Sequence, residues 1–281
     1  MLRWIPTTAE EIEHRRRVTQ RRDWLALLDG EPVGVATCVR FPQRETAGTM
    51  LGVLPSARHR GVGGTLYRRA SERATELGSR ELESFVFADD PDCEGFAERH
   101  GFRIVSRACG LRLPIAGCPR PEVPSVDGIR LTTAHETPGL ERGIWDVANE
   151  CWPDIPTDGE VMTPPPFDQF ARMRFDAPSY IPEAMFIALA GDEVVGYGHL
   201  TWLSRRQGLA NHEMLAVRRA WRGRGIAQAL KAAQIAWAID NGLTELRTGN
   251  EERNLSARAV NARFPYVPMP DGLMFRGPLA A

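Results

Sequence analysis

Two short stretches of this chain have the residue types and the spacing to hold a phosphate group. Residues 50–66 read MLGVLPSARHRGVGGTL and residues 214–230 read MLAVRRAWRGRGIAQAL. Each carries Arg-x-x-Gly-x-Gly/Ala: Arg58, Gly61 and Gly63 in the first, Arg222, Gly225 and Ala227 in the second. Small residues let backbone N–H groups come close to phosphate oxygens, and successive N–H groups form an anion-binding hollow. Arg60 and Arg224 add positive charge at the same turns.

Such a turn works best between a strand and the start of a helix, where unpaired N–H groups and the positive end of the helix dipole face outward. The pattern supplies both elements. The apolar tetrads MLGV and MLAV precede the turns, and Ile226, Leu230, Ala233 and Trp237 line one helical face after the second. Gly78 and Gly242 mark the predicted helix ends. Setting Arg58 on Arg222 shifts the copies by 164 residues (222 less 58), and the shift holds without a gap. It places Val53 on Val217, Glu81-Leu82 on Glu245-Leu246 and Phe102 on Tyr266. The chain of 281 residues therefore reads as a duplicated α/β (α+β) domain. Residues 1–114 form the first copy, 115–127 a linker and 128–281 the second. Pro114, Pro119, Pro121 and Pro124 make the linker region extended, and it is expected to act as a passive tether.

With these motifs in place, the chain resembles the GNAT superfamily of acyl-coenzyme A-dependent N-acyltransferases. The family signature, Arg/Gln-x-x-Gly-x-Gly/Ala, grips the coenzyme pyrophosphate between the fourth strand and the third helix. Residues 96–102, FAERHGF, resemble the family's fourth helix running into Gly-Phe, and residues 248–266 resemble a Thr-x-Asn stretch of some tandem members. The resemblance implies two tandem domains, each a mixed, mostly antiparallel sheet flanked by helices, with acetyl-CoA bound where the fourth and fifth strands part. It carries the coenzyme contacts onto Leu215, Ala216, Val217, Arg222, Gly223, Arg224, Gly225, Ile226 and Ala227, with Asn250 and Asn254. In the first copy it carries them onto Leu51, Gly52, Val53, Arg58, His59, Arg60, Gly61, Val62, Gly63 and Gly64. Asn254 reads equally well as a helix cap.

The implied reaction is acetyl transfer to a primary amine of a small molecule. It requires removal of an ammonium proton, stabilisation of an oxyanion, and an amine held in attack geometry. In the strand NHEMLAV, alternation puts Glu213, Leu215 and Val217 on one face, and Glu213 is the candidate general base. His212, on the opposite face, is weaker. The matching first-copy positions are Gly48 and Thr49, which supply no base. The family's frequent tyrosine acid is replaced by Ala97 and Asn261. Only the second copy has a full acceptor region, with helical stretches near 141–151 and 167–175 around a loop beginning at Trp152. The first reaches its hairpin after 23 residues, leaving room for a short strand and one helix, so its role is expected to be coenzyme binding or structure. A protein or peptide acceptor, or a non-catalytic acyl-CoA sensor, are the alternatives. Trp145, Trp152, Trp202, Trp237 and His199 read more readily as core than as site.

Composition narrows the class. The net charge of −1 argues against a nucleic-acid partner, and no apolar run has membrane length or signal-peptide form, so a cytoplasmic protein is expected. Five cysteines lack metal or redox spacing, so reduced thiols and no metal are expected. Of 35 basic residues only Lys231 is a lysine, which a compositional bias of the whole chain explains better than phosphate binding does.

Overall fold

The shift read from the sequence is also the shift of the backbone. The computed structural model describes residues 8–40, 44–157 and 161–280. In chain order the first copy runs α1 (Ala9–Val18), β1 (Arg22–Leu28), β2 (Glu31–Val39), β3 (Ala47–Val53), α2 (Val62–Glu76), β4 (Glu81–Phe87), α3 (Pro91–Arg99) and β5 (Arg103–Pro114). The second runs β6 (Arg130–Thr133), α4 (Glu141–Cys151), α5 (Phe167–Arg174), β7 (Tyr180–Ala190), β8 (Glu193–Ser204) and β9 (Leu209–Val217). It continues with α6 (Ile226–Asp240), β10 (Glu245–Glu251), α7 (Leu255–Asn261), β11 (Val267–Pro268) and β12 (Gly272–Pro278). Helices α2 and α6 begin and end at matched residues, as do β4 and β10. The turns match in conformation too: Arg58 and Arg222 are extended, while His59 and its counterpart Gly223 both have positive φ, 59° and 77°. The short strand expected before Ala9 falls outside the described residues.

The chain divides into two units, and the division does not follow the proline-rich segment. The N-terminal unit is Arg15–Ala108 with the chain from Pro270 onward; the C-terminal unit is Cys109–Met269 with the described residues up to His14. Strand β12, the last of the second repeat, belongs to the N-terminal unit. It lies antiparallel between β4 (Gly272 opposite Phe87) and the front half of β5 (Gly272 opposite Ala108). The back half of β5 serves the C-terminal unit, where Arg112 and Leu111 pair with Val267 and Pro268 of β11. Composition could not reveal this, because strand β12 has the same pattern whichever sheet it completes.

Residues 115–127 are not a passive tether. The Ile115 N–H donates to Thr244 O at 3.0 Å, and Ile115 and Cys118 pack with Leu243 and Leu246. Arg120 donates to both Asp240 carboxylate oxygens at 2.8 Å, and Val126 packs with Ile226 and Leu230. Apolar residues between the prolines find the surface of α6, and the segment becomes a strap along that helix.

In both units a parallel strand pair parts early. Strands β3 and β4 pair only from Ala47–Leu82 to Thr49–Ser84, and β9 and β10 only from Leu209–Glu245 to Asn211–Arg247. The units differ on the other side of these strands. β2 and β3 pair in unbroken register, whereas β8–β9 shifts between His199 (opposite Met214) and Leu200 (opposite His212). Glu213 is the extra residue of a β-bulge, which bends the strand and re-aims side chains.

Helices α4 and α5 cover one face of the C-terminal sheet, packing Ile144, Val147 and Phe170 on Met185, Ile187 and Tyr197. α6 covers the other, with Ile226 and Leu230 against Val195 and Val217. In the N-terminal unit Tyr67, Ala70 and Ala74 of α2 pack with Cys38, Leu82 and Phe275. The opposite face has no counterpart of the α4–α5 pair among the described residues, and Leu25 and its cross-strand partner Val35 stay 58% and 50% exposed.

Phe275→Ala should cost about 3–5 kcal/mol, because it empties a fully buried position of the N-terminal core. Hydrogen exchange should show the lost protection in residues 81–108 and not in 180–251; the opposite pattern would place β12 in the wrong unit. Lys231 on α6 is 3% exposed, and burial lowers its ammonium from 10.5 to about 7. Between those values the unfolded chain holds a proton that the folded chain lacks, so stability rises as pH is raised. The melting temperature of the C-terminal unit should climb from pH 7 towards pH 10, and Lys231→Met should remove that part of the slope. An unchanged slope would mean that Lys231 folds in its charged form.

Candidate active site

Glycine at 225 shapes the second phosphate turn. Its φ of 87° is costly for any side chain, and it stands immediately before Ile226, so the first N–H groups of α6 open outward without a side-chain cap. Gly61 (φ 79°) does the same for α2. Gly63 has another job: a Cβ there would lie 3.0 Å from the Phe96 ring, so its small size lets α2 pack on α3. At the matching position Ala227 does carry a Cβ. Ala216, Val217 and Ile226 are buried, which leaves only their backbone to meet a ligand. Gly223, Arg224 and Gly225 are exposed, as are Gly52, His59, Arg60 and Gly61, while Leu51, Val62 and Gly64 are half-buried.

The signature arginines are fasteners of the turn. Arg222 donates from Nε to Val217 O at 3.0 Å and from Nη2 to Asp154 at 2.7 Å. Arg58 repeats the fold-back, from Nε to Val53 O at 3.5 Å and from Nη1 to Asp92. Arg224 stacks over Trp221 with 4.6 Å between the guanidinium and the ring centre. The charges of Arg58 and Arg222 are thus partly answered within the protein by Asp92 and Asp154.

The bulge corrects the expected strand face. Glu213 does not share a side with Leu215 and Val217, which pack with Ile226 on the α6 side. It sits on the α5 side, its Oε1 accepting from Thr201 Oγ1 at 3.2 Å and Asn211 Nδ2 at 3.3 Å. Arg174 of α5 stands 3.9 Å from its other oxygen. The carboxylate is 41% exposed, at the place where β9 leaves β10.

His212 turns to the α6 side and is committed. Its Nδ1 lies 3.1 Å from Gln234 Oε1 and its Nε2 2.7 Å from the Tyr266 hydroxyl, so Nδ1–H donates and Nε2 accepts. Burial first, then Lys231, holds this imidazole well below its ordinary range, and it stays neutral. His199 is fully buried with Nε2 at 2.9 Å from Arg174 Nη1, and burial depresses it likewise. Thr49, in the first copy, spends its hydroxyl on Thr37 O at 2.8 Å.

Asn254 caps α7, accepting from the Ala257 N–H at 3.1 Å, and Asn250 accepts from Asn261 Nδ2. Ala97 is buried in the N-terminal core, so neither family tyrosine position holds an acid. Trp145 donates to Pro165 O at 2.8 Å, Trp152 packs on Phe170, Trp202 lies under Arg205, and Trp237 packs in the C-terminal core. Sequence reasoning missed Arg174, Asp154 and Tyr266. Tyr266 had a signal: it puts a hydroxyl where the first copy has Phe102, and a polar atom added to a core position needs a partner. Among the described residues no cluster of His, Cys, Asp and Glu could hold a metal ion, and no helix is long and apolar enough to cross a membrane.

The chain is similar to known proteins. The acetyltransferase (GNAT) family matches residues 2–102 and 142–264. A mycothiol acetyltransferase of Geodermatophilus obscurus is 28% identical over 257 residues, 88% of this chain and 79% of the relative. One of Catenulispora acidiphila is 25% identical over 230 residues, 80% and 70% of the two chains. Among solved structures, a tandem GNAT protein from the clavulanic acid biosynthesis pathway has a TM-score of 0.79 at 21% identity, covering 99% of this chain and 90% of that one. A GCN5-related N-acetyltransferase from Sphaerobacter thermophilus has a TM-score of 0.71 at 21% identity, covering 92% and 81%. With the family matched over both repeats, the chain belongs to the GNAT acetyltransferases and is an acyltransferase with two tandem domains of that fold.

Proposed function

We propose that the C-terminal unit transfers an acetyl group from acetyl-CoA to a primary amine of a small molecule, with Glu213 as general base. The observation that carries this reading is the bulge, which sets a solvent-reachable carboxylate at the parting of β9 and β10. The mycothiol acetyltransferases named above favour a small acceptor, and a mycothiol precursor amine is the first to try. In this reading the coenzyme pyrophosphate meets the α6 N–H groups, and the thioester lies along β9 beyond Asn211, where no β10 partner takes the backbone groups. Thr201 and Asn211 orient the Glu213 carboxylate, which in this reading takes the ammonium proton directly or through a water. With no tyrosine at Ala97 or Asn261, this reading leaves protonation of the departing thiolate to water. The N-terminal unit repeats the phosphate turn without bulge or base and takes a coenzyme-binding or structural role. The absence of a tyrosine at Ala97 and Asn261 favours a second reading, a non-catalytic acyl-CoA sensor; coenzyme A release with a panel of amines separates the two.

Ala227→Glu adds a carboxylate to the first turn of α6, where it suits the helix dipole and leaves the fold intact but repels phosphate. It should abolish coenzyme binding at that turn and all turnover, while Gly64→Glu, in the first turn of α2 where a Cβ meets nothing within 4 Å, should remove only binding in the N-terminal unit. The reverse pattern in calorimetry and coenzyme A release would exchange the roles of the units. Glu213→Gln keeps shape and loses basicity, so kcat should fall roughly 10²-fold or more with acetyl-CoA affinity unchanged. The acidic limb of the pH–rate profile should go with it. Wild-type turnover by this variant across the neutral range would leave deprotonation to solvent.

A further inference from the structure

The carboxylates that answer the phosphate turn come from different places in the two units. In the N-terminal unit Arg58 is met by Asp92 and Asp90, at the start of α3. In the C-terminal unit the partners stand at the end of α4, on the acceptor side. Asp154 closes the single helical turn Trp152–Asp154, from which the loop to α5 departs. Its Oδ1 accepts from Arg219 Nη2 at 2.6 Å; its Oδ2 accepts from Arg219 Nε at 3.1 Å and Arg222 Nη2 at 2.7 Å. Glu150, one turn earlier, accepts from the Arg219 N–H at 2.6 Å and Arg218 Nη1 at 3.1 Å, and Glu193 stands 3.5 Å from Arg218 Nε. Two of the turn's guanidiniums therefore depend on one aspartate.

The cluster is also open. Arg219, Arg222 and Asp154 are 53%, 44% and 33% exposed, so a dissolved phosphate reaches the same guanidiniums without unfolding anything. Pairs this exposed are screened by solvent and held weakly, so a polyphosphate beside a helix N-terminus can displace them. The carboxyl of Asp154 is held below its usual range by Arg219 first and Arg222 next, so it stays ionised and competes at neutral pH.

We propose that Asp154 is a positioning residue that couples the two substrates of the C-terminal unit: coenzyme phosphate competes with it for Arg219 and Arg222, and the competition releases residues 152–157. The proposal rests on the reading that the α6 turn holds the coenzyme. Tight coenzyme binding and a tethered acceptor segment then oppose each other, and by linkage whatever orders that segment back onto Asp154 weakens the coenzyme.

The test uses the full chain and coenzyme A itself. Asp154→Asn keeps the shape and removes the charge that competes, so coenzyme A should bind about three- to tenfold tighter at the site that Ala227→Glu abolishes, with a steeper loss of affinity as salt rises. Asp154→Glu should restore wild-type affinity. In hydrogen exchange, saturating coenzyme A should speed the amides of residues 152–157 in the wild type, while Asp154→Asn should show the fast rate without ligand. A merely structural Asp154 would give a lower melting temperature and weaker or equal coenzyme A binding, and that result, or slower exchange at 152–157 on binding, overturns the proposal. If Ala227→Glu leaves coenzyme A binding intact, the coenzyme is elsewhere and the underlying reading fails first.

Discussion

Parallel strands that pair for three residues and then separate no longer satisfy each other's backbone groups, which must find other partners or water. The rest of the site depends on that constraint. In both units the strand on one side runs into a turn closed by a left-handed glycine and then into a helix whose first N–H groups open outward. The parting begins after the third residue of the strand and the helix follows its far end. What distinguishes the units is how each strand is tied on its other edge. A regular β2–β3 ladder keeps alternation in the first, and a bulge breaks it in the second.

The bulge has a consequence for chemistry that a regular strand would not allow. It puts Glu213 and Met214 on the same side, so a carboxylate emerges at the parting while His212 turns inward to a buried network. That network is structural: each His212 nitrogen has a partner, and a neutral imidazole satisfies both. Helix α4 and the turn that follows it also reach the glycine turn before α6, through Glu150 and Asp154. The division of labour proposed for the units rests on three local differences between copies of one fold: a bulged strand, a pair of covering helices, and the side from which the turn's arginines are answered.

Much of this was legible in the sequence, and what was not has physical reasons. The repeat, the turn, the helix ends at Gly78 and Gly242 and the hairpin strands all show locally, because glycine, apolar period and chain order determine them. The bulge does not show, since nothing in NHEMLAV marks which residue is extra; it is a property of the pairing with β8. Strand β12 reads the same in either sheet, so its placement in the N-terminal unit is a long-range outcome. Residue type gives Arg58 and Arg222 charge but not direction, and nothing in the sequence shows that both fold back onto the strand they follow. Asp154 was hidden for the same reason, 65 residues before Arg219 in the chain.

The central claim is that one coenzyme-bearing site, at the parting of β9 and β10, does the chemistry. A crystal structure of the chain with acetyl-CoA tests it most directly. The account predicts the pyrophosphate on the N–H groups at Gly225–Ala227, the thioester beside β9 beyond Asn211, and the Glu213 carboxylate within one water of the position the amine takes. Coenzyme held only in the N-terminal unit, or a thioester on the far side of β9 from Glu213, would contradict it.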